Sequence, residues 1–320
     1  MSQHLVHRPE GLYFIPGDFY IDPARAVPRA LISHGHADHA IPSNNEVWCT
    51  KPTESFMKLR YKDRLRSNFH ITDYKQCFTI GPVTIQFYPA GHILGSAQII
   101  IDYEGIRYCY TGDFKLRPDS SCEPFEIVPC DVLITETTFA HPDYAHPPEE
   151  QEFIKLAAYS HCNVVIGAYN LGKAQRITLL ANKLLEGRRV MIHPEAAVFH
   201  RIYERAGITL GKWEHYNYRL FNRTRGNILV APPRAISTYL NNVGVVTVFA
   251  TGWKKSPFRS HFNFHLSDHA DWQEILYLVE KTGAKEIITV HGDGEHLINH
   301  LLKEQPEITC SDLSFSKVFA

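Results

Sequence analysis

The segment Ser33-His34-Gly35-His36-Ala37-Asp38-His39 offers four nitrogen or oxygen donors within six residues. It follows Ala30-Leu31-Ile32, an apolar run that reads as a strand. On an extended chain residues two apart face the same side, so His34 and His36 point together. Asp38 and His39 follow where the chain turns. Donors this close can serve two adjacent divalent ions, because neither pair has to travel far. The same spacing also fits a histidine-rich surface loop or a single structural zinc, and the segment by itself leaves those readings open.

Three further donors sit at the ends of other strand-like runs. His92 follows Val83–Tyr88 in Pro89-Ala90-Gly91-His92-Ile93-Leu94-Gly95, where the two glycines permit a close approach of backbone to an ion. Asp113 ends a hairpin in Tyr110-Thr111-Gly112-Asp113, and His291 ends the last strand in Thr289-Val290-His291-Gly292. Taken singly, each is equally a capped or hydrogen-bonded residue. Their recurrence as strand, then His or Asp beside Gly, argues for a shared site. A carboxylate has two oxygens and can bridge ions about 3.5–4 Å apart, the arrangement that clamps an in-line displacement; Asp113 is the natural bridge.

The elements that must carry these residues fall into two patterns. Through residue 135 the chain reads as short apolar or alternating strands: Gly11–Ile21, Ala30–Ser33, Glu46–Cys49, Val83–Tyr88, Gln98–Tyr103, Arg107–Thr111 and Val132–Thr135. From Pro147 the period lengthens. Helices are expected at Glu150–Tyr159, Lys173–Leu185 and Ala196–Ala206, with strands Val164–Ala168, Arg189–Ile192, Asn227–Val230 and Val245–Ala250 between them, an alternation that implies a parallel α/β layer. The tail returns to strand Phe262–Phe264, helix Asp271–Lys281 opened by the capping box Asp271-x-x-Glu274, strand Glu286–Val290 and helix Glu295–Lys303. Pro142–Pro148 marks the first boundary.

Composition narrows the class. Of 320 residues 44% are hydrophobic and 12% aromatic, enough to bury a large core and exclude a disordered chain. No apolar run approaches the roughly 18 residues of a membrane helix. The start, MSQHLVHRPEG, has neither a basic nor an apolar signal region. The seven cysteines form no C-x-x-C pair, so a reducing cytoplasm and no membrane are expected. The net charge of −1 conceals an asymmetry. Between Lys173 and Ser260 there are 15 Lys+Arg against four acids, net +11, which leaves 18 bases and 30 acids, net −12, elsewhere. One part is suited to a polyanion while the other concentrates carboxylates.

H-x-H-x-D-H followed by Gly-His, Gly-Asp and a late His resembles the metallo-β-lactamase fold. The later motifs Thr135-Glu136-Thr137-Thr138, Ser267-Asp268-His269-Ala270-Asp271 and Val290-His291-Gly292 resemble its β-CASP nuclease branch. Phe19-Tyr20-Ile21-Asp22-Pro23, Val165–Gln175 and Ala250-Thr251-Gly252-Trp253 are similar to the compact bacterial ligase-associated DNA exonucleases, relatives of the DNA cross-link repair nucleases. The resemblance spans essentially the whole chain. It implies an α/β fold in which an αββα metallo-β-lactamase sandwich, residues 1–145 and 259–320, carries an inserted parallel α/β β-CASP domain, residues 146–258.

Carried over residue by residue, the resemblance implies that His34, His36 and His92 hold one metal and Asp38, His39 and His291 the other, with Asp113 between them. Zn²⁺ is the expected ion and Mn²⁺ also suits these ligands. Asp22 would orient the histidine loop, although Asp-Pro is equally a turn signal. Asp38 would orient the attacking water, and His269, held by Glu136, would protonate the leaving alkoxide; without the resemblance, packing and a salt bridge account for that pair. Lys173, beside Gly172 at an expected helix start, reads as a phosphate contact. Arg225 and Lys254 stand among bases that could line a nucleic-acid path, with Tyr216, Tyr218 and Trp253 as stacking candidates. The implied activity is a DNA exonuclease of repair, working from the 5′ end with single strands as a possible preference, and with a DNA ligase and other repair enzymes as partners. His291 stands where RNA-processing relatives have His and many DNA-repair relatives have Val, so a ribonuclease is the first alternative. A small-molecule metallo-hydrolase and a non-catalytic nucleic-acid-binding scaffold are the others.

Overall fold

The computed structural model describes residues 4–313, which divide into two compact units. The first comprises the chain up to Pro118, Glu123–Ala145 and the chain from His269 onward; the second comprises Asp119–Cys122 and His146–Asp268.

Two sheets form the first unit. One has six strands in chain order: Leu5–Arg8, Gly11–Phe14, Phe19–Ile21, Arg29–Leu31, Glu46–Cys49 and Asn68–Ile71. The other has seven, in the order Thr309–Asp312, Glu286–Gly292, Val132–Thr137, Ile106–Tyr110, Ala97–Tyr103, Val83–Pro89 and Phe78–Ile80. Period-two alternation sorts their side chains. Ile99, Ile101, Tyr108, Tyr110 and Ile134 turn inward to meet Phe14, Phe19, Ile21 and Leu31 of the first sheet. Their neighbours Ile100, Cys109 and Leu133 turn outward onto Ile275, Leu278 and Val279 of helix Trp272–Thr282 and onto Leu297 and Leu301 of helix Glu295–Glu304. Helix Lys51–Tyr61 covers the outer face of the first sheet with Met57 and Tyr61. The result is an αββα sandwich, as the sequence motifs imply. Full burial of each such aliphatic or aromatic side chain contributes roughly 1.5–3 kcal/mol.

The second unit is built on a six-stranded sheet, parallel throughout, in the order Glu214–His215, Val190–Ile192, Ile228–Ala231, Asn163–Gly167, Val245–Thr251 and Phe262–His265. Helix Lys173–Leu184 lays Ala174, Ile177, Leu180 and Ala181 on its core, the stripe read from the sequence, and helix Pro194–Arg205 adds Ala196 and Ala197.

Three expectations require correction. Gly11–Ile21 is two strands, because Ile15–Gly17 forms a 3-10 turn with Asp18 in the left-handed region. Helix Lys51–Tyr61 lies in the stretch read as strands; its signal is Thr50, whose Oγ1 accepts the Thr53 N–H, with proline in the first turn. Phe262–His265, placed by the sequence in the C-terminal return beginning at 259, pairs with Val248–Thr251 instead, so the second unit runs on to Asp268.

Candidate metal and phosphodiester site

Five strands of the seven-stranded sheet run in one direction, and four of them lead into the site. Val83–Pro89 and Ile106–Tyr110 are each antiparallel to the strand between them, and Val132–Thr137 and Glu286–Gly292 continue parallel to Ile106–Tyr110. Their C-terminal ends therefore share an edge, and His92, Asp113, Glu136 and His291 all lie at or just beyond those ends. The histidine segment leaves Arg29–Leu31 of the facing sheet, and Ala97 N–H donates to the Ser33 carbonyl at 2.8 Å, tying the two sheets together there. Gly91 and Gly112, both at positive φ, allow the crowding. A Cβ on Gly91 would sit 2.4 Å from the Lys115 carbonyl oxygen, and one on Gly112 would sit 2.9 Å from Ser33 Cβ.

His34 Nε2, His36 Nδ1, His92 Nε2 and Asp113 Oδ2 face one another. His36 Nδ1 is 3.1 Å from both of the other ring nitrogens, and Asp113 Oδ2 is 3.6 Å from His34 and 3.7 Å from His92. Zinc with nitrogen ligands at about 2.0–2.1 Å separates tetrahedral donors by roughly 3.4 Å, so this quartet has the size a bound ion requires. The other Asp113 oxygen, Oδ1, is 3.5 Å from His39 Nε2, and Asp38 Oδ2 is 3.8 Å from the same nitrogen. The His291 ring lies 4.7 Å from that of His39, with its Nε2 3.5 Å from the Tyr110 hydroxyl. Asp113 thus presents Oδ2 to His34 and His92 and Oδ1 to His39.

Asp22 completes the orientation. With φ at 42° it is one of the few non-glycine residues in the left-handed region. Its Oδ1 accepts the Ser33 N–H at 2.7 Å; its Oδ2 accepts the Ser33 hydroxyl at 2.5 Å and the Tyr110 hydroxyl at 2.9 Å, and lies 2.8 Å from His39 Nδ1. Ser33 Oγ is in turn 3.0 Å from His34 Nδ1. Both rings are held by Nδ1, which leaves Nε2 directed to Asp113. Asp22, His34 and His39 are close enough to hold an ion themselves. The two Asp22 oxygens are also engaged by the Ser33 N–H and hydroxyl and by the Tyr110 hydroxyl.

The electrostatics call for a cation. Burial alone would raise the Asp113 carboxyl, but His39, His269, His34 and His92 around it hold it well below the usual carboxylate range. Burial, reinforced by His39, pushes His34 well down. His39 is opposed by burial yet raised to about 10 by Asp113 and Asp22. Burial and His39 lower His291. A proton is thus drawn to the most desolvated part of the site by two carboxylates, where a divalent ion would satisfy the same demand. The His34, His36, His92 and Asp113 quartet fits such an ion in type, spacing and charge.

Beside this cluster His269 Nδ1 lies 2.8 Å from Glu136 Oε2, and its ring centre is 4.9 Å from that of His92. Glu136 is buried, accepting the Phe114 N–H at 2.7 Å and the Thr138 hydroxyl at 2.5 Å. Asp113, Glu136 and His269 also form a compact donor group. Lys115 carried no sequence motif, yet it is fully buried and its ammonium donates to the carbonyls of Gly91 at 2.6 Å and His92 at 3.1 Å. Tyr110 was equally silent in the motifs; period-two alternation along its strand is the signal that turns it inward toward Asp22.

The second unit redistributes its expected contacts. Lys173 is buried, with its ammonium 2.8 Å from Asp268 Oδ2 and donating to the Leu266 carbonyl, so the expected phosphate contact is a structural ion pair. Arg188 donates to the Gly226 and Cys162 carbonyls. The Tyr216 hydroxyl accepts from Tyr239 at 2.7 Å and its ring packs on Phe221, so Tyr216 belongs to the core rather than to a stacking surface. Arg225, Lys254, Tyr218 and Trp253 are exposed. Among the described residues no helix is long and apolar enough to cross a membrane.

An αββα sandwich with five histidines and a bridging-type aspartate at one sheet edge defines a metallo-hydrolase-type site. Residues 259–309 match the model of the Zn-dependent metallo-hydrolase RNA specificity domain. The chain is 32% identical to a "Probable DNA ligase" of Opitutus terrae over 88% of this chain and 28% of that protein. It is 30% identical to an "RNase J-like protein" of Methanocaldococcus jannaschii over 55% of this chain and 49% of that protein. It therefore spans between about a quarter and a half of the length of these relatives. A protein of unknown function from Enterococcus faecalis V583 shares the fold, with a TM-score of 0.62 at 14% identity over 89% of this chain and 78% of that one. Together these likenesses support the β-CASP nuclease family of the metallo-β-lactamase fold.

Proposed function

We propose that this chain is a metal-dependent phosphodiesterase that degrades DNA from an end, the 5′ end, with two divalent ions, Zn²⁺ before Mn²⁺. The observation that carries the reading is Asp113, whose Oδ2 faces His34 and His92 and whose Oδ1 faces His39, beside the His269–Glu136 pair. His34, His36, His92 and Asp113 would hold one ion, and Asp38, His39, His291 and Asp113 the other. Bound there, divalent ions supply Lewis-acid polarisation of the phosphoryl group and a water acidified toward neutrality. The residues of the chain do the rest. Asp22 fixes the faces that His39 and, through Ser33, His34 present. Asp38, the most exposed of the donors with 80% of its side chain accessible, orients the entering water. Glu136 holds His269 by Nδ1, so that Nε2 carries the proton delivered to the leaving oxygen. The exposed bases Arg225 and Lys254 would meet the polyanion.

DNA is favoured by the relative that matches along 88% of this chain and is named as a probable DNA ligase. That match also makes a ligase a reasonable functional companion. Ribonuclease activity is the second reading, supported by His291, by the matched model's name and by the RNase J-like relative. Matched DNA and RNA oligonucleotides of one sequence, labelled at the 5′ or the 3′ end, separate the two. Stepwise loss of DNA from the 5′ end is expected, with cleavage slowed at least about 10²-fold in His269→Ala, the low end for loss of a general acid. Preferential loss of RNA would transfer the assignment to the second reading.

A further inference from the structure

Arg117 lies four residues beyond Asp113 and has no part in the chemistry above. Both terminal nitrogens of its guanidinium are nevertheless engaged. Nη2 donates to the His269 carbonyl at 2.9 Å, and Nη1 donates to Asp271 Oδ2 at 3.2 Å and to Glu274 Oε2 at 2.5 Å. The Arg117 and Leu116 N–H groups both donate to Glu274 Oε1, at 2.8 and 3.0 Å. The turn carrying His269 is gripped on its other side as well, because Ala270 N–H donates to the Phe114 carbonyl at 2.6 Å. Phe114 N–H in turn donates to Glu136, the carboxylate that holds the His269 ring. The acid and its orienting carboxylate are therefore both referenced to one short segment, Phe114–Arg117, that starts at Asp113.

We propose that Arg117 is the positioning residue of the proton donor: its planar fork fixes the His269 backbone, and with it the distance from the imidazole to the metal donors. This rests on the phosphodiesterase reading and on His269 as the acid. A fork with fixed donor directions suits the task better than a lysine ammonium, because three acceptors on one turn must be held at defined angles. The helix that follows also has capping bonds of its own. Asp271 Oδ1 accepts the Glu274 N–H at 3.2 Å, and Glu274 Oε2 accepts the Asp271 N–H at 3.1 Å. The Arg117 side chain is 23% exposed and lines an open cleft of about 610 Å³ with Tyr277 and His300, so truncation opens no sealed cavity.

The test compares wild type, Arg117→Ala and Arg117→Lys on two phosphodiesters: a DNA oligonucleotide, whose alkoxide must be protonated as it leaves, and bis(4-nitrophenyl) phosphate, whose phenoxide needs no proton. Arg117→Ala is expected to lower kcat on the oligonucleotide by about 10–10²-fold, within the range a misplaced general acid can forfeit. KM, the rate on the nitrophenyl ester and the metal content should stay within about threefold. Arg117→Lys should show the same selectivity with a smaller loss, and it carries the comparison if the alanine variant does not fold. Equal losses on both substrates, or none on either, would overturn the inference. A wild-type protein inactive on both instead removes the phosphodiesterase reading beneath it.

Discussion

Asp22 makes no contact with substrate in the proposed mechanism, yet it is the residue on which the imidazole geometry depends. Four groups converge on its two oxygens, three of them on Oδ2. Asp22→Asn keeps the shape but replaces one acceptor oxygen with a donor, setting it against groups that themselves donate. Metal affinity, read by competition with a chromogenic chelator, is expected to fall by about 10–100-fold, the usual cost of losing such a supporting contact; unchanged affinity would mean the rings are held by packing alone. At this scale the donors were legible in the sequence and their supports were not. His34, His36, Asp38, His39, His92, Asp113 and His291 announce themselves by type, and all but Asp38 and His39 by an adjacent glycine. Lys115 and Arg117 do not, because each reaches the site by donating to a backbone carbonyl, of Gly91 and His92 for Lys115 and of His269 for Arg117, and a carbonyl acceptor leaves no trace in residue identity.

Among the elements, those whose hydrophobic period is complete could be read directly. Helix Lys173–Leu184 shows its Ile177-Leu180-Ala181 stripe, and helix Trp272–Thr282 shows its Asp271-Glu274 box, present in the structure with both reciprocal bonds. Lys51–Tyr61 was obscured because its core-facing set, Phe56, Met57 and Tyr61, is sparse and its remaining surface carries Lys51, Lys58 and Arg60. Phe262–His265 was read correctly as a strand but given to the wrong sheet. Its alternation states which residues are buried and is silent about the partner, which is fixed by the parallel register Val248↔Phe262 to Thr251↔His265. The same limit applies to Lys173. A helix start beside glycine looks like a phosphate site until Asp268, 95 positions away in the chain, is found to hold the ammonium.

For the whole molecule, the charge asymmetry between residues 173–260 and the rest remains the broadest argument for a polyanionic substrate, even though several of its bases are engaged within the second unit. Stability of that unit should carry its own pH signature. His200 is completely buried, with Nδ1 3.0 Å from the Ala196 carbonyl; burial pushes the imidazole down to about 4, against the pull of that hydrogen bond. An unfolded histidine protonates near the usual 6.5. The stabilising contribution is therefore complete above about pH 6.5 and is lost progressively as pH falls toward 4, reaching about 2 kcal/mol by pH 5. Thermal unfolding at pH 7 and pH 5 should show a smaller difference for His200→Gln than for wild type, whereas parallel profiles would place the acid sensitivity elsewhere. The central claim, a two-ion centre spanned by Asp113, is tested most directly by the divalent metal content per chain of the purified protein, measured by elemental mass spectrometry. About two ions per wild-type chain are predicted, falling below one in Asp113→Ala; a wild-type chain carrying fewer than one would contradict the account.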